Sequence, residues 1–377
     1  MNAWTWSVVV VAALTCAACG PVPPPECTAG PSAICGLERP EDIAPLDDAH
    51  LLMVQLRPGD PGRWFSIIEA ATLTASPPTV IRQEPVERAG EAGCIATPAL
   101  RRPRGFDIRP ISVAPADTEA SGPAWRVVVV SDVAEAGTGG QRIEFLDLIH
   151  APAGWLLSWV GCVDVPDAYF LNDVALGPGG NLFATHMYGR VGGWRARLTR
   201  PMFFIGVDTG YAVAWDLAQG WRKVAGSDGA FPNGIAVDPT GSVLYVAYTY
   251  NYVASLAKID LLTGARENAA LPLRPDNITW DLDPETQARR LIATGATGLR
   301  LVTTSGCEAM LQVGCSFAFS VATVDAITLE SRRVLHYERG RVPGASVAAR
   351  LGNRLFLGTA VGERVTIATF DSKNGDR

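Results

Sequence analysis

The sequence lacks the short motifs that mark the commonest hydrolases and nucleotide-binding proteins. It contains no G-x-S-x-G nucleophile elbow, no HExxH zinc motif and no P-loop. It has only four histidines, and they do not cluster along the chain: His50, His150, His186 and His336. Nothing in these patterns indicates a serine hydrolase or a zinc protease, and we interpret His186 as an ordinary strand histidine.

Positive charge is scarce as well. The chain has 32 Lys and Arg against 38 Asp and Glu, a formal net charge of −6, and no run of basic residues interleaved with aromatics. Nucleic-acid partners normally require a basic face, so we exclude them. The composition is 48% apolar and 19% charged, which is enough for a large core. No Gly- or Ser-rich linker divides the 377 residues after residue 40, so we expect one domain and a monomer.

The first nineteen residues have the pattern of an export signal. Their apolar stretch is shorter than the roughly 20 residues that span a bilayer, but it suits the core of a signal peptide. The Ala-Ala-Cys19-Gly20 sequence resembles the end of a lipoprotein signal, in which the Cys is lipidated. However, Cys16 stands where Leu is usual, and no Lys or Arg precedes the apolar stretch. An ordinary signal and a lipoprotein signal therefore both stay open.

These features predict an exported protein of the periplasm or cell envelope. If Cys19 carries lipid, it would tether the chain to a membrane. Residues 20–34 include GPVPPP and are predicted to form a Pro-rich tether, with the folded domain over residues 35–377.

Six cysteines follow Cys19, and an even number in an exported chain favours disulfides. Zinc is the weaker interpretation, because no CxxC occurs outside the signal. The predicted pairs are Cys27–Cys35, Cys94–Cys162 and Cys307–Cys315.

Six segments of the chain share one pattern of polar loop, apolar strand, turn and second apolar strand. They begin near Glu41, Asp107, Tyr169, Phe231, Arg274 and Ser346. Their apolar runs, such as VVVVSD and VLYVAYTY, have the composition of strands rather than a helical period. Six such units predict an all-β fold, a six-bladed β-propeller with a central metal site. A β-sandwich would not explain six similar units.

The residues just before each first strand suggest the chemistry of the channel mouth. They are Glu41-Asp42, Arg109-Pro110, Asn172-Asp173, Asn233-Gly234, Asp276-Asn277 and Ala345-Ser346. Carboxylate and amide oxygens without His or Cys are the ligands of a hard cation, and calcium fits best. Each loop alone would be an ordinary turn. The prediction depends on four loops that carry such groups at one point of the repeat.

The same segments resemble the arylesterase/paraoxonase family and, more distantly, the gluconolactonase family. The resemblance runs from Cys35 to Phe370 and is carried by PEDIAPL, FLNDVALGPGGNLFATH, FPNGIAVDPTGSVLYVA, RPDNITWDLDPET and GASVAARLGNRLFLGTA. It implies a six-bladed propeller that uses calcium to hydrolyse small-molecule esters or lactones.

The resemblance also implies roles for individual residues. The ligands of a catalytic calcium would be Glu41, Asn172, Asn233, Asp276 and Asn277. A second, structural calcium would use Asp42, Asp173 and the backbone carbonyl of Ile111. The general base would be Asp276 or Glu41. Independently of the resemblance, we expect Arg109, if it faces the channel mouth, to bind an anionic substrate group or the oxyanion; the alternative is a solvated residue of the rim.

The chain departs from the paraoxonases at two histidines that are credited there with proton transfer. The alignment puts Arg109 and Asp132 at these positions, and no His lies between His50 and His150. Two functions therefore stay open. The retained ligands favour a calcium-dependent carboxylic-ester hydrolase. The missing histidines favour a non-catalytic envelope propeller with a structural calcium, which binds a ligand or a protein partner.

Overall fold

Nearly all of the regular structure is β-strand. The computed structural model describes residues 24–81, 89–95, 101–111, 123–133, 140–189, 200–253, 255–283, 285–297 and 316–370. In these ranges the strands are accompanied by a one-turn helix, α1 (Pro61–Trp64), and a 3-10 helix (Arg200–Ile205). Neither is long or apolar enough to cross a bilayer.

The strands form six sheets, or blades, each led by its innermost strand. Blade 1 contains β2 (Pro40–Pro45), β3 (His50–Gln55), β4 (Phe65–Glu69) and β5 (Thr74–Ser76). Blade 2 contains β8 (Arg101–Ile111), β9 (Ala124–Val133), β10 (Gln141–Ala151) and β11 (Gly154–Asp164), with β6 (Thr79–Ile81) and β7 (Ala89–Gly90) parallel to β11. Blade 3 contains β12 (Leu171–Leu176), β13 (Leu182–His186), β14 (Tyr211–Asp216) and β15 (Gly220–Lys223).

Blade 4 contains β16 (Pro232–Val237), β17 (Val243–Tyr248), β18 (Leu256–Asp260) and β19 (Arg266–Ala269). Blade 5 contains β20 (Arg274–Leu282), β21 (Arg289–Ala296), β22 (Phe319–Asp325) and β23 (Ser331–Tyr337). Blade 6 contains β24 (Val347–Leu351), β25 (Arg354–Gly358) and β26 (Arg364–Thr369), with β1 (Ala33–Cys35) as its outermost strand.

The innermost strands form a closed ring. Each of β2, β8, β12, β16, β20 and β24 contacts the next, and β24 contacts β2. The predicted six-bladed β-propeller is therefore confirmed, and the sandwich alternative is wrong. The apolar strand runs of the sequence are the second strands of the blades, as VLYVAY in β17 and VVVVSD in β9 show.

The core lies between the blades rather than inside any one of them. Along β3, Leu51 and Met53 pack towards blade 6, whereas Leu52 and Val54 pack towards blade 2. Alternate residues of a strand point to opposite faces of its sheet, and both faces of a blade are covered by neighbours. This is why each second strand contains a run of consecutive apolar residues, such as LLMV in β3 and VVVV in β9. Each pair of adjacent blades encloses such a cluster.

The ring is closed by the start of the described chain. β1 pairs antiparallel with β26, so blade 6 combines strands from both ends of the domain. Ala33 and Ile34 are buried in this strand, and the predicted boundary between tether and domain at residue 35 is therefore wrong. β1 supplies the fourth strand of blade 6, which would otherwise have three.

Two of the three predicted disulfides are confirmed, Cys27–Cys35 and Cys94–Cys162. The third pair lies outside the described residues, as do the export signal and Cys19. Disulfides persist in oxidising compartments, in agreement with the expected export.

Candidate metal centre

A β-bulge interrupts the innermost strand of five blades near its start. In β16, Pro232 pairs with Tyr248 and Ile235 pairs with Val246, so two residues between them face a single partner residue. The same register shift occurs in β2, β8, β12 and β20. Bulges redirect side chains, and here they bring those of successive blades together around the channel.

Four of the five bulges supply the residues predicted to bind the catalytic calcium. Asn172 Nδ2 donates a hydrogen bond to Asn233 Oδ1, and Asn233 Nδ2 donates to Asp276 Oδ1 at 2.6 Å. Asn277 Nδ2 donates to Glu41 Oε1 at 3.1 Å. Because Asp276 and Asn277 are adjacent in β20, the structure brings all five side chains into one cluster.

Blade 6 supports this cluster through Ser346. Its hydroxyl donates to the backbone carbonyl of Glu41 at 2.7 Å, and its own carbonyl accepts the backbone N–H of Asn277 at 3.0 Å. Ser346 is 1% exposed. The sixth loop therefore positions two neighbours instead of contributing a ligand.

Two oxygens of the cluster have no hydrogen-bond donor. Glu41 Oε2 and Asn277 Oδ1 are buried and unpartnered among the described residues. Leaving a buried acceptor unpaired costs about 1–3 kcal/mol, more when it is charged. A cation would satisfy both oxygens. Asn172 and Asp276 are only half-buried, so the cluster opens to solvent on their side.

The composition of the cluster restricts the kind of metal. In the described ranges, no three His, Cys, Asp or Glu side chains are arranged to hold an ion. The candidate set instead combines two carboxylates with three amides. An oxygen-only set of this kind suits calcium, whereas zinc sites use His and Cys.

Buried carboxylates surround the cluster. Burial raises the pKa of Glu41, and burial together with the charge of Glu41 raises the pKa of Asp42 well above its usual value. Burial and the charge of Asp42 do the same to the pKa of Asp173. Burial also raises the pKa of Asp107 to about 6. This part of the channel therefore favours either protons or a cation.

The carboxylates of Asp42 and Asp173 already accept hydrogen bonds from backbone N–H groups. Each carboxylate accepts the N–H of the residue that follows it, at 2.9 and 2.8 Å. Each also reaches the next blade, where Asp42 accepts the N–H of Phe106 at 3.2 Å and Asp173 that of Ile235 at 3.0 Å. Every oxygen of the two carboxylates thus has a donor, and the two side chains join neighbouring blades.

The predicted position of Arg109 at the channel mouth is wrong. The bulge of β8 lies between Pro103 and Phe106, and it contains Arg104 and Gly105. Arg109 lies further along β8, where its Nε donates to the carbonyl of Leu176 at the far end of β12. In each of the other bulged strands an apolar residue follows the bulge directly. In β8 the residue at that position is not Ile111, because the bulge lies nearer the start of the strand. Phe106 is that residue.

A signal in the sequence could have located the second bulge. Four of the five bulges follow the pattern Pro-x-x-apolar, namely PEDI, PRGF, PNGI and PDNI, beginning at Pro40, Pro103, Pro232 and Pro275. The second repeat also contains Pro110. Aligning the repeats on that proline places the second loop near the end of β8 instead of at its bulge.

Arg104 is the side chain that sequence reasoning missed. Its Nη2 lies 3.0 Å from Asp132 Oδ2, and its guanidinium lies 4.8 Å from the centroid of the Phe170 ring. Its charge lowers the pKa of Glu41, against the larger effect of burial. Its Nε is buried without a hydrogen-bond partner in the described part of the chain. An Arg–Asp pair therefore stands beside the cluster.

His186 lies in β13 opposite Leu171 and is a structural residue. Its Nδ1 accepts the backbone N–H of Phe170 at 2.9 Å, and its ring lies between those of Tyr169 and Tyr211. Burial lowers its pKa to about 4. The ring is therefore neutral at pH 7.

Comparison with known proteins finds similar structures only. No protein-family model and no curated protein matches the chain. A gluconolactonase from Xanthomonas campestris is 14% identical, with a TM-score of 0.35, over 78% of this chain and 98% of the other. A Bacteroides uniformis protein, provisionally assigned as a 6-phosphogluconolactonase, is 10% identical, with a TM-score of 0.44, over 88% and 94%.

A chain of the nidogen/laminin complex is 10% identical, with a TM-score of 0.42, over 87% and 85%. At these identities and TM-scores the likeness carries no inference about the activity of this chain.

Proposed function

We propose that the protein is a calcium-dependent hydrolase of small esters or lactones. One observation carries the proposal: Glu41 Oε2 and Asn277 Oδ1 are buried acceptors for which the described residues offer no donor, in an oxygen cluster that is open to solvent at Asn172 and Asp276. The buried side would hold an ion, and the open side would admit a substrate.

The ion would be held by the oxygens of Glu41, Asn172, Asn233, Asp276 and Asn277. When bound, calcium supplies Lewis-acid polarisation of an ester or lactone carbonyl. Glu41 is 7% exposed, which suits a ligand that balances charge. Asp276 is half-buried and held by Asn233 Nδ2, so it is the better-placed general base for taking a proton from water.

Arg104 would take the role that the sequence analysis expected of Arg109. Asp132 fixes its guanidinium, and the unpartnered Nε can donate to negative charge that develops on the substrate. We do not extend the proposal to a second calcium at Asp42 and Asp173, because backbone N–H groups already occupy all four of their oxygens.

Hydrolysis of phenyl acetate and a panel of lactones, with chelator and then with added calcium, tests the proposal. Chelation and Asn233→Ala should abolish turnover. Asp276→Asn should lower kcat by about 100-fold or more if Asp276 is the general base. The control variant Asn353→Ala changes an exposed asparagine in the turn between β24 and β25, and it should hydrolyse at the wild-type rate.

A different result would support the non-catalytic propeller. In that case calcium would raise the melting temperature of the wild type but not of Asn233→Ala, while every ester and lactone stayed intact.

A further inference from the structure

A cavity of about 150 Å³ lies between blades 4 and 5. Thr249, Asn251 and Ser255 line it from blade 4, and Arg274 and Thr297 line it from blade 5.

The cavity adjoins the candidate metal centre through Thr249. Its hydroxyl accepts a hydrogen bond from Asn233 Nδ2 at 3.0 Å and donates one to the carbonyl of Pro275 at 2.8 Å. One side chain thus separates the cavity from the proposed calcium ligands.

Arg274 lies in the wall of this cavity and has no ionic partner among the residues that the structure describes. It is 7% exposed, and its Nε, Nη1 and Nη2 are all buried without a hydrogen-bond partner among the described residues. Its guanidinium lies 5.5 Å from the ring centroid of Tyr250, which supplies no acceptor of comparable strength. Arg290, buried to a similar degree, instead pairs with Asp281 and Asp283 at 2.8 and 2.6 Å.

The other described residues that line the cavity carry no negative charge that could compensate the Arg274 guanidinium. None of the described residues that line the cavity is Asp or Glu. Thr297 Oγ1 is a second buried polar atom without a partner, and a hydroxyl can donate a hydrogen bond. A planar guanidinium binds carboxylates through two parallel hydrogen bonds.

We propose that the cavity binds a carboxylate group, with Arg274 as its partner, and that the preferred substrates are esters or lactones that carry a carboxylate. The second part rests on the proposed hydrolase function. A water molecule takes about 30 Å³ of liquid, so the cavity has room for a carboxylate with a short carbon chain.

Binding of free carboxylates tests the cavity without any catalysis. Succinate and acetate are titrated by calorimetry, with phosphate as a second anion and chloride as a control for ionic strength. The protein is first freed of metal with chelator and then dialysed into calcium-free buffer without chelator, since carboxylates would also bind calcium and a polycarboxylate chelator would compete for the site. The wild type should bind the carboxylates, Arg274→Lys should bind them about 10- to 100-fold more weakly, and Arg274→Met should not bind them.

The matched control is Arg364→Met. Arg364 is also buried, but it lies in β26 and donates to the carbonyl of Pro25. This variant should bind succinate like the wild type. Arg274→Met should melt no lower than the wild type without ligand, because the charge that it removes has no partner. If it does not fold, Arg274→Lys carries the comparison.

Kinetics then test the substrate class. For Arg274→Met, kcat/KM for monophenyl succinate should fall about 10- to 100-fold, and that for phenyl acetate should not change. If succinate binding depends on Arg274 but no substrate is hydrolysed, the carboxylate site is supported and the proposed hydrolase function is wrong. Two results would overturn the carboxylate site. One is that Arg274→Met binds succinate as tightly as the wild type does, and the other is that the wild type binds phosphate but no carboxylate. If the wild type still hydrolyses its substrates in either case, the proposed hydrolase function stands.

Discussion

His186 should make the protein sensitive to mild acid. Its pKa is about 4 in the folded protein, against 6.5 for a free histidine. Between these values the unfolded state binds more protons than the folded state, so the free energy of unfolding falls as the pH falls. Since each pKa unit is worth about 1.4 kcal/mol, His186 should remove about 3 kcal/mol of stability between pH 6.5 and pH 4.

The perturbation that isolates this effect is His186→Asn. An asparagine Oδ1 can accept the N–H of Phe170 in place of Nδ1, now 2.9 Å away, but it does not titrate in this range. Urea unfolding followed by tryptophan fluorescence gives the free energy of unfolding at half-unit steps from pH 4 to pH 7.5. All samples contain the same chelator concentration, so that calcium does not contribute to the slope.

Below pH 6.5, the free energy of unfolding should fall more steeply with decreasing pH for the wild type than for His186→Asn. The difference in slope should correspond to the uptake of about one proton on unfolding. His336→Asn is the control, because His336 lies on the outer strand β23 and is more exposed. Equal slopes for the wild type and His186→Asn would refute the reasoning. A slope that changed in His336→Asn instead would place the responsible group on blade 5.

Three further predictions concern the stability of the fold. Gly105→Ala should cost about 1–3 kcal/mol in urea unfolding, because its Cβ would lie 2.1 Å from a buried carboxylate oxygen, whereas the exposed Gly140→Ala, with nothing within 4 Å, should be neutral. Replacing Cys94 and Cys162 by Ser should cost about 4 kcal/mol, because the disulfide closes a loop with a sequence separation of 68, and reduced wild-type protein, which also loses Cys27–Cys35, should lose at least as much. Ser346→Ala should cost about 1 kcal/mol, measured as a lower urea midpoint at unchanged slope, since it removes one buried hydrogen bond.

The sequence predicts the blades well because each blade repeats a local pattern. PNGI and PDNI combine a strand start with the bulge residues that join the oxygen cluster, and both features are local. The second blade was misplaced because its bulge carries Arg104 and Gly105 rather than Asn or Asp. Its long inner strand also offers two proline positions, Pro103 and Pro110.

Other features of the site arise only from tertiary structure. Arg274 precedes Asp276 by two positions and looks like an ordinary strand residue. That its guanidinium is buried with no acceptor in the described part of the chain depends on side chains from another blade. The role of Ser346 as a support for Glu41 likewise depends on contacts between distant parts of the chain. No local pattern encodes such contacts.

The closure of blade 6 by β1 also sets the order in which the centre assembles. Glu41 bonds to Asn277 and Ser346, which lie 236 and 305 positions later in the chain. Contacts between such distant residues form late, because the loop between their positions must close first. During synthesis the contacts of the first blade with the last therefore form only after blade 6 is made, and the proposed calcium ligands come together only when the ring closes. Metal affinity would then report that the whole ring has closed, not that a single blade has folded.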